Sequence, residues 1–249
     1  MPDIILQAFQ RALELILSGN PEFYATVYRT IYVSGAGTLL ACVWSIPIAV
    51  ILGLYSFRGK WVIKGLFNAL IGIPTVALGL LLYLLLSRQG AFGFMHLLFT
   101  VNGVMIGQAI LVTPIIVSFV ANALSTSDAQ VRDLARTLGA SNLQTNLTIM
   151  RETIWSMALA IVAAFNRGFG ELGIATIVGG SILGQTRVLT TAIALEINYG
   201  AFDVAMAYAI ILMTIVISLT LTLNLIEKLR QQESIWNKNR LAIWRHWGQ

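Results

Sequence analysis

TIYVSGAGTLLACVWSIPIAVILGLYSF, residues 30–57, contains no Asp, Glu, Lys or Arg. A helix needs about 20 consecutive apolar residues to cross a bilayer core of roughly 30 Å, and this stretch exceeds that length. The same test selects three more uncharged runs, 65–87, 89–127 and 204–226, and a fifth, 153–178, broken only by Arg167 and Glu171. The whole chain is 57% apolar and 11% charged over 249 residues. Soluble domains carry about 25% charged residues, so part of the solvent of this chain is lipid. An ordinary cytosolic enzyme, a disordered chain and a disulfide scaffold are excluded, the last also because Cys42 is the only cysteine.

The reading is an all-α membrane protein with about five spans, near 31–55, 65–87, 101–124, 153–178 and 204–226. Gln89–Thr100, with two glycines and three Phe residues, is expected as an interfacial loop. Pro47, Pro74 and Pro114 fall inside three spans, and Gly103 and Gly107 form a GxxxG pair that predicts close helix packing. Ahead of the spans, Ile4, Ile5, Ala8, Ala12, Leu15 and Ile16 share one side of a helix, opposite Arg11 and Glu14. That pattern predicts an amphipathic interfacial helix ending at Ser18-Gly19-Asn20-Pro21, without the basic start of a signal peptide. The expected organisation is an N-terminal segment 1–25, a transmembrane domain 26–226 and a basic tail 227–249.

Charge orients the chain. Arg58, Lys60 and Lys64, then Arg132, Arg136 and Arg151, then Lys228, Arg230, Lys238, Arg240 and Arg245 fall on one side of a five-span arrangement, 11 of the 16 Lys and Arg. Cytoplasmic loops carry such an excess, so the N-terminus is expected outside and the C-terminus in the cytoplasm. The basic residues read as topology signals and not as a nucleic-acid surface. Trp236, Trp244 and Trp247 between the tail's basic residues suit an anchor in membrane lipid.

No P-loop or HExxH motif occurs. Gly168-Phe169-Gly170-Glu171-Leu172-Gly173 matches GxGxxG but lies in a spanning segment without a preceding strand, so it is not read as a dinucleotide site. The loop 125–152 carries more structure than most. Ser127 and Gln130 have capping-box spacing, and Val131, Leu134, Ala135 and Leu138 make one apolar face. Gly139 stands where a helix terminates in positive φ, and Ser141 with Gln144 begins a second helix that is expected to run into the fourth span. An apolar stripe rimmed by Arg132, Asp133 and Arg136 is a docking surface, the alternative being a helix flat on the membrane.

These residues resemble a known family. Asp133-Leu134-Ala135, three residues, Gly139, nine residues and Ile149 follow the coupling motif of ABC-importer permeases. That motif reads Glu-Ala-Ala, three residues, Gly, nine residues, Ile-x-Leu-Pro; here Arg151-Glu152 replaces the final Leu-Pro. Gly170-Glu171-Leu172-Gly173, Gly179-Gly180-Ser181-Ile182, Thr186-Arg187 and 189–196 look like the permease of tungstate-type oxyanion (tungstate/molybdate) importers. The resemblance spans roughly residues 22–226. It implies a type I ABC importer transmembrane domain (MetI-like), paired as a homodimer in the cell (inner) membrane. Two ATP-binding subunits and an extracytoplasmic substrate-binding protein would be its partners. ATP would sit on the ATPase, no cofactor on this chain, and no covalent chemistry would be its own. Molybdate, sulfate or phosphate could replace tungstate in the same architecture. A stand-alone secondary transporter or channel is the alternative from another class, and a membrane-embedded enzyme finds no metal or nucleophile constellation.

Three groups of candidate residues follow. By the resemblance, Asp133, Leu134, Ala135, Leu138 and Gly139 form the helix that fits the ATPase. Arg167 and Glu171, four apart, are expected on one helix face, as pathway or gate residues or as a structural pair. Ser181, Thr186, Arg187 and Thr190, in a loop expected outside, offer hydroxyl and guanidinium donors suited to an oxyanion. The other reading of that loop is a re-entrant segment that contacts the binding protein.

Overall fold

The computed structural model describes the backbone of residues 2–126 and 129–247, and their side chains except at 2–5, 8, 129–131, 136 and 229–247. Eleven α-helices and a short 3-10 turn account for the order among the described residues: α1 (Pro2–Leu17), α2 (Pro21–Leu54), α3 (Lys60–Leu70), α4 (Thr75–Leu86), α5 (Val101–Thr126), α6 (Ala129–Thr137), α7 (Asn142–Glu152), α8 (Ile154–Phe169), α9 (Gly173–Ile177), α10 (Leu189–Asn198) and α11 (Phe202–Trp247).

Helix α2 starts where local chemistry permits. Asn20 Oδ1 accepts from the N–H groups of Glu22 at 2.9 Å and Phe23 at 3.2 Å, and Pro21 takes the first position, where its missing N–H costs nothing. The helix therefore begins ten residues before the expected span, and the expected boundary at residue 25 falls inside it. Its 34 residues reach about 51 Å at 1.5 Å per residue, well beyond a bilayer core.

One side of α2 is a ladder of small residues: Ser34, Gly37, Thr38, Ala41, Ser45, Ala49 and Gly53 are all buried. It packs on α5. A Cβ on Gly37 would sit 3.1 Å from the Met105 carbonyl, and one on Gly53 only 2.6 Å from the Leu124 Cβ. Lipid tails are as apolar as a leucine, so helix pairing in a membrane relies on close backbone approach, which small residues provide. Trp44 Nε1 adds a cross-link, donating to Thr113 Oγ1 at 2.8 Å. Because Gly37 meets Gln108 while Gly53 meets Leu124, α2 and α5 run parallel, and the chain must cross back between them.

That return crossing corrects the expected second span. Instead of one helix over 65–87, α3 and α4 meet at 98° around Ile71–Pro74. Pro74 caps α4 at ψ 121° and does not sit inside a helix as expected, whereas Pro47 and Pro114 do. A residue before proline avoids the α region, so the break is written at Ile73-Pro74. The fourth span is also broken. α7 and α8 bend by 60° at Thr153, and α8 ends at Phe169, with α9 a separate short helix.

Residues 89–100 form the expected loop, with a 3-10 turn at Gly93–Met95 and the Phe99 N–H donating to the Val178 carbonyl at 2.8 Å. Gly107 meets Ile174 of α9, where a Cβ would lie 2.5 Å from the Ile174 Cγ2, so the GxxxG pair seats α9 within the chain. The largest apolar cluster joins α2, α5 and α8 through Ala41, Val112, Ile116, Val120, Leu124 and Ala164.

The predicted apolar face of α1 is correct where described, but its partner is protein. Ala12, fully buried, and Leu15 and Ile16 pack against α11, while Leu6, Phe9, Leu13 and Leu17 stay exposed. α11 runs unbroken past residue 226 to Trp247, so the basic tail continues the last helix. Met213, Ile217, Leu221 and Leu225 make an exposed apolar stripe on it, the surface expected against lipid.

Candidate functional site

The α6–α7 hairpin is built as the local sequence predicts. Gly139 takes φ +79°, and the Ala140 N–H donates to the Ala135 carbonyl at 3.0 Å, closing the helix end. Ser141 and Gln144 form a reciprocal capping box, with bonds of 3.3 and 2.8 Å, and α7 starts there. Leu134 and Leu138 are 62% and 79% exposed, Asp133 is exposed, and Ala135 is half-buried. The earlier capping pair Ser127–Gln130, with the side chains of Val131 and Arg136, lies outside the described residues.

Below the hairpin, Ile149 is fully buried in the α2–α5–α8 core and Thr145 is 2% exposed, so α7 is anchored while α6 stands out. Leu143 and Leu147 are also exposed and extend the apolar surface onto α7. They lie on α7, outside the apolar face of α6 that the sequence marks. Their spacing of four was the available signal.

Arg167 and Glu171 are paired, with Nη1 to Oε2 at 2.8 Å, but not on one helix face. Gly170 caps α8, so the pair bridges the break between α8 and α9. Glu171 is 2% exposed. Its Oε1 accepts from the Ile174 N–H at 3.2 Å, within the first turn of α9, and its own carbonyl accepts from Thr190 Oγ1 at 2.7 Å. Three segments thus meet on one residue. Arg167 keeps 38% of its side chain exposed.

Two polar residues within the apolar spans join this region and were missed. Gln108 is buried. Its Nε2 donates to the Gly168 carbonyl at 3.0 Å, while its Oε1 has no partner among the described residues. Asn166 Nδ2 donates to Thr220 Oγ1 at 2.8 Å, tying α8 to α11. A carboxamide inside an apolar run was the signal for both. Of the three glycines of the GxGxxG match, Gly173 serves packing: a Cβ there would lie 2.9 Å from Thr75 Oγ1 and 3.0 Å from the Val76 N, at the start of α4. Among the described residues no three His, Cys, Asp or Glu side chains gather as metal ligands would.

The loop 178–188 lies at the opposite end of the bundle from α6–α7. Thr186 Oγ1 donates to the Gly179 carbonyl and accepts from the Ile182 N–H at 2.9 Å, and Thr190 donates to Glu171. A hydroxyl has one proton, so neither threonine has a donor left for an anion in this conformation. Ser181 Oγ and Arg187 Nε are buried and have no partner among the described residues. Arg29 Nη1 donates to the Arg187 carbonyl at 2.9 Å and brings a second guanidinium from α2, which sequence reading had counted only as a charge. Of the four expected anion contacts, Ser181 and Arg187 retain free donors here.

Residues 45–229 match the family described as binding-protein-dependent transport system inner membrane component. The chain belongs to this family. The match takes in the α6–α7 hairpin, the Arg167–Glu171 bridge and the 178–188 loop. Among relatives of this permease family member, the tungstate uptake system permease protein TupB of Peptoclostridium acidaminophilum is 34% identical over 213 residues, covering 86% of this chain and 93% of the relative. The protein of the same name from Campylobacter jejuni is 32% identical over 213 residues, covering 86% and 89%. A crystal structure of a bacterial ABC transporter that imports the acidic polysaccharide alginate is similar in fold. It shows a TM-score of 0.56 at 18% identity and covers 89% of this chain and 78% of that one. The type I importer fold expected from the resemblance is thereby established.

Proposed function

We propose that the chain is the permease subunit of an ATP-driven importer for a tetrahedral oxyanion, tungstate first. The observation that carries this reading is the 34% identity to a tungstate uptake permease over 213 residues, 86% of the chain. Two copies pair, two ATPase subunits dock on the α6–α7 hairpins, and an extracytoplasmic binding protein delivers the anion to the 178–188 end. The N-terminus lies outside and the C-terminus in the cytoplasm, consistent with 11 of 16 basic residues on the α6–α7 side.

On this reading the chemistry is mechanical. Closure of the ATPase pair pushes α6 through Leu134, Leu138 and Asp133. The buried Ile149 carries that motion into α7 and the core, and the breaks at Thr153 and Gly170 let the parts of the fourth span tilt. Arg167 and Arg187 supply positive potential to a dianion in an otherwise apolar bundle, while Glu171 holds the α8–α9 joint. The binding protein selects the anion. Proteoliposomes carrying the permease with its ATPase and binding protein should take up radiolabelled tungstate only with internal ATP. Excess sulfate should compete weakly. Uptake of sulfate in preference to tungstate would overturn the substrate, and uptake without ATP would overturn the mechanism.

A further inference from the structure

At the α6–α7 end, a cavity of about 290 Å³ opens between the end of α2, the second half of α3 and the later turns of α5. Leu52, Lys64, Phe67, Asn68, Ser118 and Asn122 line it. Lys64 Nζ reaches Ser125 Oγ at 3.2 Å, and Lys60, one helical turn earlier, donates to the Tyr55 carbonyl at 2.9 Å. Neither ammonium meets a carboxylate among the described residues. Like charges four residues apart on a helix repel each other, so an anion seated against Lys64 in the cavity offsets that repulsion. The Ser118 hydroxyl is buried without a partner among the described residues, and the amides of Asn68 and Asn122 add neutral donors.

The outward face of the same helix is apolar. Trp61, Val62 and Leu66 are 85%, 61% and 58% exposed beside the cationic mouth. A site with an ammonium and hydrogen-bond donors within, on a helix whose other face is apolar, matches a molecule with an anionic head and hydrocarbon tails. Basic pockets between transmembrane helices hold the heads of anionic lipids in this way. We propose that this cavity binds the phosphate headgroup of an anionic phospholipid, with the acyl chains lying along Trp61, Val62 and Leu66. Such a lipid braces the corner of α2, α3 and α5 immediately before the chain enters α6.

The full-length chain, purified in detergent, delipidated and titrated with dioleoyl phosphatidylglycerol, tests this by native mass spectrometry. One phosphatidylglycerol should bind saturably per chain, in preference to dioleoyl phosphatidylcholine. Lys64→Gln should lower its affinity about five-fold, the factor expected for one basic residue at a lipid surface, and Lys64→Arg should retain it. Lys60→Gln, one helical turn from Lys64 and bonded to the Tyr55 carbonyl, should lower the affinity by a smaller factor and is the second probe if packing at Lys64 fails. Lys228→Gln, an exposed lysine on α11, should change nothing. Wild-type affinity in both Lys60→Gln and Lys64→Gln would overturn the proposal. So would displacement of the lipid by millimolar sodium phosphate or sodium tungstate, which would assign the cavity to a free oxyanion.

Discussion

Removing the guanidinium of Arg167 leaves the Glu171 carboxylate, 2% exposed, with one remaining donor to its side chain, the Ile174 N–H at 3.2 Å. Stripping one partner from a buried ion pair costs about 3–5 kcal/mol, because the other charge stays in a low dielectric. The reverse change is milder. Arg167 is 38% exposed, so in Glu171→Gln its charge is solvated, and Gln keeps an acceptor for Ile174. That variant loses a charge-assisted bond worth about 1.5–3 kcal/mol, reduced by the exposure. For a chain of this size 1 kcal/mol moves the melting temperature by about 2–4 °C, so Arg167→Ala should fall on the order of 10 °C and Glu171→Gln by a few degrees. The double variant Arg167→Ala, Glu171→Gln should recover most of the larger loss. Thermal unfolding of the purified chain in detergent reads all three. If Arg167→Ala is no worse than Glu171→Gln, or the double variant recovers nothing, the carboxylate is not the stranded charge and the reasoning fails. A refolded double variant that still does not transport would place the pair on the pathway.

Gly139→Val puts a β-branched side chain at φ +79°, costing about 1–2 kcal/mol locally, and should weaken co-purification of the ATPase while leaving membrane insertion normal. Normal assembly and transport in Gly139→Val and Leu138→Asp together would remove the hairpin from the dock. Gly107→Ala, whose Cβ would meet Ile174 at 2.5 Å, should destabilise by about 1–3 kcal/mol, whereas Gly35→Ala, with open space around it, should be neutral or stabilising; equal melting temperatures would contradict the packing of α9 on α5. In a Cys42→Ser background, Leu143→Cys should label only from the cytoplasm and Gln185→Cys only from outside, and labelling from one side would sink the five-span order. Arg187→Ala should slow tungstate uptake, most at low ionic strength, since exposed charges are screened within about 8–10 Å at 0.1–0.15 M salt; an unchanged rate at low salt would end its steering role.

The existence of the spans, the loop at 89–100, the α6–Gly139–α7 turn and the capping box at Ser141 were all legible in the chain itself. Each depends on a property summed over neighbouring residues: the cost of placing charge in lipid, the period of an apolar face, or the φ that glycine tolerates. The apolar face of α6 needed only Leu134, Ala135 and Leu138 at helical spacing. Four further features were beyond a linear reading: the 98° angle of the corner whose place Pro74 marks, the small-residue face of α2 on α5, the seating of α1 on α11, and the placing of Glu171 just past the end of α8. The hydroxyls show the reason most plainly. Thr186 and Thr190 read as free donors by composition, yet Gly179 and Glu171 take their protons, while Ser181 in the same loop has no partner among the described residues. Sequence sets which groups can donate. Only the tertiary approach of segments such as 171 and 190 decides which acceptor lies within 3 Å, because a hydrogen bond is won by distance and not by chain order.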